Sequence, residues 1–222
     1  MRSLLLLNGS PRGPRSNSMK MLSRIAEGWE RNGGGAVEVL HLARPAEFQR
    51  AVAAFPEAGT VLLGMPLYTD AMPALVLAYV QALAPRAANP AMGFLVQSGF
   101  PEALHSRPLE RYLEKLARRL GAPYAGTIVR GGGEALQSMP DRASRRLWSR
   151  LNTLGGQLAR DGRFAPAELR AVAGVERLPR PVSILLGWAL RLPLLQFYWV
   201  NQLKRNGAWE ARFATPYLKT SS

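Results

Sequence analysis

Short apolar runs alternate along the chain with longer segments in which apolar residues return every three or four positions. The run at 2–7 is compact, rich in leucine and closed by Asn8-Gly9, the pattern of a strand buried on both faces. From Ser16 the period changes. Leu22, Ile25, Ala26 and Trp29 fall at i, i+3, i+4 and i+7, and Gly33-Gly34-Gly35 ends that helix. The alternation continues with a strand at 36–41, a short helix at 47–55 and a strand at 60–65 closed by Pro66. A nearly all-apolar helix at 73–83 and a strand at 92–97 follow. Leu109, Tyr112, Leu113, Leu116 and Leu120 form one helical stripe. A fifth strand is expected at 125–130, broken by Gly131-Gly132-Gly133, and Leu147, Leu151, Leu154 and Leu158 mark the next helix.

Five strands separated by helices predict an α/β fold with a parallel sheet covered on both faces. The count of strand–helix units fits a flavodoxin-like, doubly wound five-stranded sheet of order 2-1-3-4-5, its switch point between the first and third strands. This domain is expected to span 1–174. Beyond Gly174 the pattern changes, and 175–222 reads as an apolar helical C-terminal extension. Its segment 182–200 is strongly apolar but interrupted by Arg191 and Pro193. A membrane span needs ~20 apolar residues and disfavours a central arginine, so a span is not expected. Three readings of the segment stay open: a hairpin packed on the domain or at a dimer interface, shallow membrane-surface contact, or a wall for an apolar substrate.

Composition narrows the chemistry. A chain of 222 residues buries enough surface to need no covalent or metal staple. It has no cysteine, which excludes disulfides, thiolate metal sites, iron–sulfur clusters and thiol catalysis together. Its two histidines, His41 and His105, are too few for a polyhistidine cluster, so no metal is expected. The net charge is +14, from 29 Lys+Arg against 15 Asp+Glu, which favours anionic partners. The arginines are scattered among helices rather than interleaved with stacking aromatics, so a nucleic-acid partner is disfavoured. The opening apolar run is too short for a secretory leader, so a cytoplasmic location is expected.

In a parallel sheet ligands bind beyond the carboxyl ends of the strands, and four of those ends carry unusual loops. The loop from Asn8 to Ser18 joins a buried strand to a helix start, where free N–H groups and the helix dipole favour a phosphate. Ser10, Ser16 and Ser18 add hydroxyls, Asn17 an amide, and Arg12 or Arg15 a cation. The loop lacks both Gly-Lys-Ser/Thr and G-x-G-x-x-G, which disfavours ATP hydrolysis and a dinucleotide-binding Rossmann site. A plainer reading makes Ser16 or Ser18 a helix N-cap.

Met65 to Pro73 is an apolar loop with one tyrosine, suited to a flat ring against Pro66, Leu67 and Tyr68, or else a packed loop with Asp70 as a helix cap. In the third loop Gly99 permits close backbone approach beside Ser98, Phe100 can pack on a ring, and His105 is a candidate proton donor. The fourth, Gly131 to Glu134, is either a flexible turn or a ligand contact.

NGSPRGPRSNS after the first strand, MPLYTDAMP after the third and SGFPE after the fourth resemble the NADPH-dependent FMN reductase family, a group of flavodoxin-like NAD(P)H-dependent oxidoreductases. The C-terminal WVNQLKRNGAWEARFATPY resembles tails in one branch of it. The resemblance implies that Ser10, Arg12, Ser16, Asn17 and Ser18 hold the FMN phosphate. It further implies that Pro66, Leu67 and Tyr68, with Ser98, Gly99 and Phe100, line the isoalloxazine ring. The cysteine-dependent iron–sulfur branch is excluded.

The expected activity is FMN-dependent oxidation of NADPH or NADH, with electrons passed to a quinone, nitro, azo or similar small-molecule acceptor. The cofactor carries that chemistry, so no catalytic side chain is required. Backbone N–H groups, with Arg130, are candidates to stabilise charge on the reduced ring. A flavodoxin-like electron carrier is the alternative, followed by a basic nucleic-acid or membrane-surface binder. The apolar helix at 73–83 and the apolar tail point to a homodimer.

Overall fold

The computed structural model describes residues 2–86, 89–137, 140–189 and 197–215. By its internal contacts the chain divides into a unit of residues 1–177 and a unit of residues 178–222.

The first unit is built on β1 (Leu4–Asn8), β2 (Val37–His41), β3 (Thr60–Pro66), β4 (Ala91–Gln97) and β5 (Tyr124–Arg130). They form one parallel sheet in the order β2-β1-β3-β4-β5, as the alternation of runs predicts. Its helices are α1 (Asn17–Arg31), α2 (Pro45–Ala54), α3 (Ala74–Ala82), α4 (Arg107–Arg119), α5 (Arg145–Asp161) and α6 (Pro166–Ala173). The last of these has no clear signal in the sequence pattern. The division after Arg177 leaves Val175 and Glu176 with the first unit. Val175 O accepts from Ala103 N–H, and the Glu176 carboxylate takes two bonds from the Arg107 guanidinium.

Successive side chains of a strand point to opposite faces, and this splits the leucine-rich strands between two cores. Leu5 and Leu7 of β1, Leu63 of β3 and Phe94 of β4 join the core containing Val76, Tyr79, Leu113 and Ala117 of α3 and α4. Leu4 and Leu6, Leu62 and Leu95 join the core on the other face, with Leu22, Ile25 and Trp29 of α1 and Leu151, Leu154 and Leu158 of α5. Both faces are therefore apolar, and the polar ends of the strands are the places left for chemistry. In α3, Val76, Tyr79 and Val80 are buried whereas Ala74, Leu77 and Ala78 are exposed.

The second unit contains α7 (Arg180–Ala189) and α8 (Phe197–Arg205). The centre of the expected apolar segment, 190–196, lies outside the described residues, as do the last residues of the tail motif, from 216 onward. No helix among the described residues is long and apolar enough to cross a membrane.

Candidate functional site

The carboxyl ends of β1, β3 and β4 open into one cleft lined by Ser10, Arg12, Ser16, Asn17, Pro66, Leu67, Tyr68, Gln97, Gly99 and Glu134. Eight of these ten are residues expected to contact the cofactor; Gln97 is new to the set, and Glu134 enters from the end of the glycine loop.

The first wall is organised by Asn8, the fully buried last residue of β1. Its Nδ2 donates to Gly13 O at 2.7 Å and lies 3.2 Å from Ser16 Oγ, while its Oδ1 accepts from Ser10 N–H at 3.1 Å. One amide thus fixes both ends of the loop. Ser16 is the N-cap of α1, accepting from Met19 N–H at 3.1 Å, so the plainer reading of that serine holds as well. Asn17 donates through Nδ2 to Gly133 O at 2.8 Å and leaves a buried Oδ1 with no hydrogen-bond partner among the described residues. Ser18 is buried in the first turn of α1, its Oγ without a partner among the described residues, and it is not among the residues that line the cleft. A buried polar atom left unpaired is costly, and such atoms mark places where a ligand or water completes the bonding.

The second wall is a tight turn. Tyr68 N–H donates to Ala71 O and Ala71 N–H to Tyr68 O, each at 3.0 Å. The two residues between them, Thr69 and Asp70, have φ of 49° and 62°. Two successive positive φ values define the type I′ hairpin turn, and a β-branched residue there is strained. Asp70 therefore sits at the turn tip and does not cap α3, whose N-cap is Pro73 with no side-chain bond. The turn holds Tyr68, 44% exposed, at the cleft edge beside the buried Pro66 and Leu67. Leu67 N–H is already given to Gln97 O at 2.8 Å and Tyr68 N–H to Ala71 O, so the Gln97 side chain is the polar group on this side.

The third wall comes from the loops after β4 and β5. Ser98 Oγ donates to Phe100 O at 3.2 Å, closing a turn that leaves Gly99 at the cleft. Phe100 is 58% exposed and outside the cleft lining, its ring centroid 4.7 Å from that of His105. His105 Nε2 lies 3.3 Å from the Glu102 carboxylate. Gly131 to Glu134 is a pinned strap rather than a flexible turn. Gly132 N–H donates to Phe100 O at 2.6 Å and Gly133 N–H to Ser98 O at 2.7 Å. A Cβ on Gly133 would run into the Gln97 amide, and one on Gly131 into the Pro101 carbonyl. The strap carries Glu134 across the cleft to Arg12, with Nη1 to Oε2 at 3.3 Å.

Arg130 does not belong to this site. Its Nη1 donates to Val172 O of α6 at 3.0 Å, and its side chain lines a separate cavity of about 290 Å³ with Ser144, Arg146 and Arg150. Burial lowers its pKa. Among the described residues, no group of His, Asp and Glu is placed to hold a metal ion.

The chain matches no protein-family model and no curated protein sequence. It is similar in structure to an FMN-dependent NADH-azoreductase from Bacillus anthracis in complex with FMN, with 15% identity and a TM-score of 0.55. That match covers 72% of this chain and 100% of the other. An NADH:FMN oxidoreductase in its apo form shares 17% identity over 82% of this chain and 99% of its own, with a TM-score of 0.57. An NAD(P)H:quinone oxidoreductase from Methanothermobacter marburgensis shares 16% identity over 71% and 96%, with a TM-score of 0.50. At such identities the likeness is one of architecture, and the architecture is the flavodoxin-like fold.

Proposed function

We propose that the protein is an FMN-dependent NAD(P)H oxidoreductase acting on a small-molecule acceptor of the quinone, azo or nitro type. The observation that carries this reading is the cleft, which joins a hydroxyl- and arginine-bearing loop at a helix start to an apolar wall with one tyrosine. The unpaired Oδ1 of Asn17, a residue that lines the cleft, fits a site whose bonding a ligand completes. Solved proteins of the same fold are named for FMN, NADH, azo and quinone chemistry. When bound, FMN would take an electron pair from reduced nicotinamide and pass it to the acceptor.

The chain's own residues bind, orient and exclude water. Ser10, Arg12, Ser16 and Asn17 would hold the phosphate, with the α1 N–H groups and dipole adding to the cation of Arg12. Pro66, Leu67 and Tyr68 would press on the ring from one side and Gly99 from the other, and the Gln97 amide would offer it a hydrogen bond. Glu134 restrains Arg12 across the opening. Tyr68 presents an aromatic face that favours flat acceptors, at ~0.5 to 1.5 kcal/mol per stacked pair. The exposed Phe100, with the half-buried ring of His105 tilted against it, is placed to meet an acceptor rather than the cofactor.

The experiment is a titration of the purified protein with FMN and with riboflavin, read by flavin fluorescence. Arg12→Ala is expected to weaken FMN about tenfold or more and to leave riboflavin nearly unchanged. Equal loss of both would place the phosphate elsewhere. With FMN bound, NADH or NADPH should bleach the flavin absorbance, and a quinone should restore it.

The same reading includes a homodimer. The exposed face of α3 bears Ala74, Leu77, Ala78 and Gln81, three apolar residues and one neutral amide, and the nine residues of the helix carry no charge. A second copy is the simplest cover for an uncharged apolar face. Sedimentation at micromolar concentration should show a dimer, and Leu77→Glu should give a monomer.

A further inference from the structure

The second unit carries an apolar surface that the proposed oxidoreductase chemistry does not use. On α7, Ile184 is 62%, Leu185 69% and Trp188 67% exposed, with Val182 at 46%. Positions 184, 185 and 188 fall on one side of a helix, and 182 lies at its margin. Four large apolar side chains exposed on a ten-residue helix are far from the scattered single exposures of an ordinary surface. Phe197, at 65%, and Phe213, at 83%, add two aromatics in the same unit.

The sequence of this unit is strongly basic. Residues 178–222 contain six Lys and Arg and a single acid, Glu210. Lys204 and Arg205 close α8 and are exposed. The Arg212 guanidinium lies 3.9 Å from the Trp209 ring centroid and 4.8 Å from that of Phe213, and Lys204 Nζ lies 5.5 Å from Trp209. Aromatic rings joined to cations suit a boundary that is apolar on one side and anionic on the other.

We infer that residues 178–189 and 197–215 form a docking surface for an anionic lipid bilayer, with the apolar side of α7 in the headgroup–acyl boundary and Lys204, Arg205 and Arg212 at the phosphates. A second copy of the chain is a poorer occupant, since pairing two such units sets six basic side chains against six. Nucleic acid offers phosphates but no apolar layer for Ile184, Leu185 and Trp188. A lipid surface meets both demands at once, and α7 at ten residues lies along a bilayer surface rather than across it.

The test uses the full chain in flotation with vesicles of phosphatidylcholine alone and of phosphatidylcholine with phosphatidylglycerol. Binding should be about tenfold stronger or more to the anionic vesicles at low salt and should collapse in high salt. The uncharged double change Leu185→Ser with Trp188→Ser should abolish most of it. Charge reversal at Lys204 and Arg205 should reduce it about tenfold. A urea midpoint equal to that of the parent establishes that each variant is folded. If a variant does not fold, the parent's dependence on lipid charge and salt decides alone. Failure to float with anionic vesicles, equal binding to both lipids, or parental binding by the serine variant would overturn the proposal. Loss of self-association, rather than of flotation, in the serine variant would overturn it in favour of a second copy.

Discussion

Asn8 Nδ2 lies 3.1 Å from His41 Nδ1, so the amide that ends β1 donates to the imidazole that ends β2. The same Asn8 amide holds Gly13 and Ser10 of the phosphate-type loop, and the contact requires a neutral His41 with its proton on Nε2. Burial is the main cause that lowers the His41 pKa below 6.5, with Glu47 opposing and Arg44 adding to it. The unfolded chain therefore takes up the proton at a higher pH than the folded one. Stability from this group is complete above about pH 6.5 and is lost as the pH falls toward and through the folded value. Urea midpoints measured from about pH 7 to about pH 5 should fall, and His41→Asn should flatten that slope. Asn8→Ala should cost about 1 to 3 kcal/mol at neutral pH, because buried partners lose their bonds.

The Arg12–Glu134 pair is partly exposed, with side-chain accessibilities of 51% and 30%. Pairs of that kind are worth about 0 to 1 kcal/mol. Glu134→Gln should then raise FMN affinity by no more than about fivefold, since the phosphate no longer competes with a carboxylate. The gain should shrink as salt is added to the titration.

Thr69 and Asp70 occupy the two positive-φ positions of a type I′ turn, where an asparagine followed by a glycine is the favoured pair. The double change Thr69→Asn with Asp70→Gly keeps the turn and relieves its strain, and it should stabilise the chain by about 0.5 to 1.5 kcal/mol. Thermal melts check the gain. A fall in quinone turnover alongside a higher Tm would show that the strain helps to hold Tyr68 at the cleft.

Helices α1 and α5 meet through glycines. A Cβ on Gly28 would overlap the Asn152 carbonyl, and one on Gly155 the Ile25 carbonyl. Each single change to alanine should cost about 1 to 3 kcal/mol through forced separation of the helices. The double variant should cost less than the two losses added, since one displacement relieves both overlaps. Urea denaturation of the four proteins tests this.

The strands, most of the helices and the loops that carry chemistry are legible in the residue pattern alone. Leu4 to Leu7, Val61 to Leu63 and Phe94 to Val96 are apolar at successive positions, and short runs of that kind bounded by turn residues suit a strand buried on both faces. The stripe of α1, from Leu22 to Trp29, follows from its period alone. The polar loop after β1 and the apolar loop after β3 are legible because neither composition suits a simple connection.

Which side chains meet at the strand ends depends on packing between distant segments. Arg12 and Glu134 are separated by 122 positions, and Asn17 and the Gly133 carbonyl by 116. No local period relates such residues. Arg130 ends its strand as Gln97 does, and the two are register partners, yet Gln97 lines the cleft and Arg130 turns to α6. That difference is set by which neighbours cover each end of the sheet, a property of packing and not of spacing. The triple glycine is the same case: its composition suggests freedom, and only the close approach of Gln97 and Pro101 shows that the glycines are there to be held.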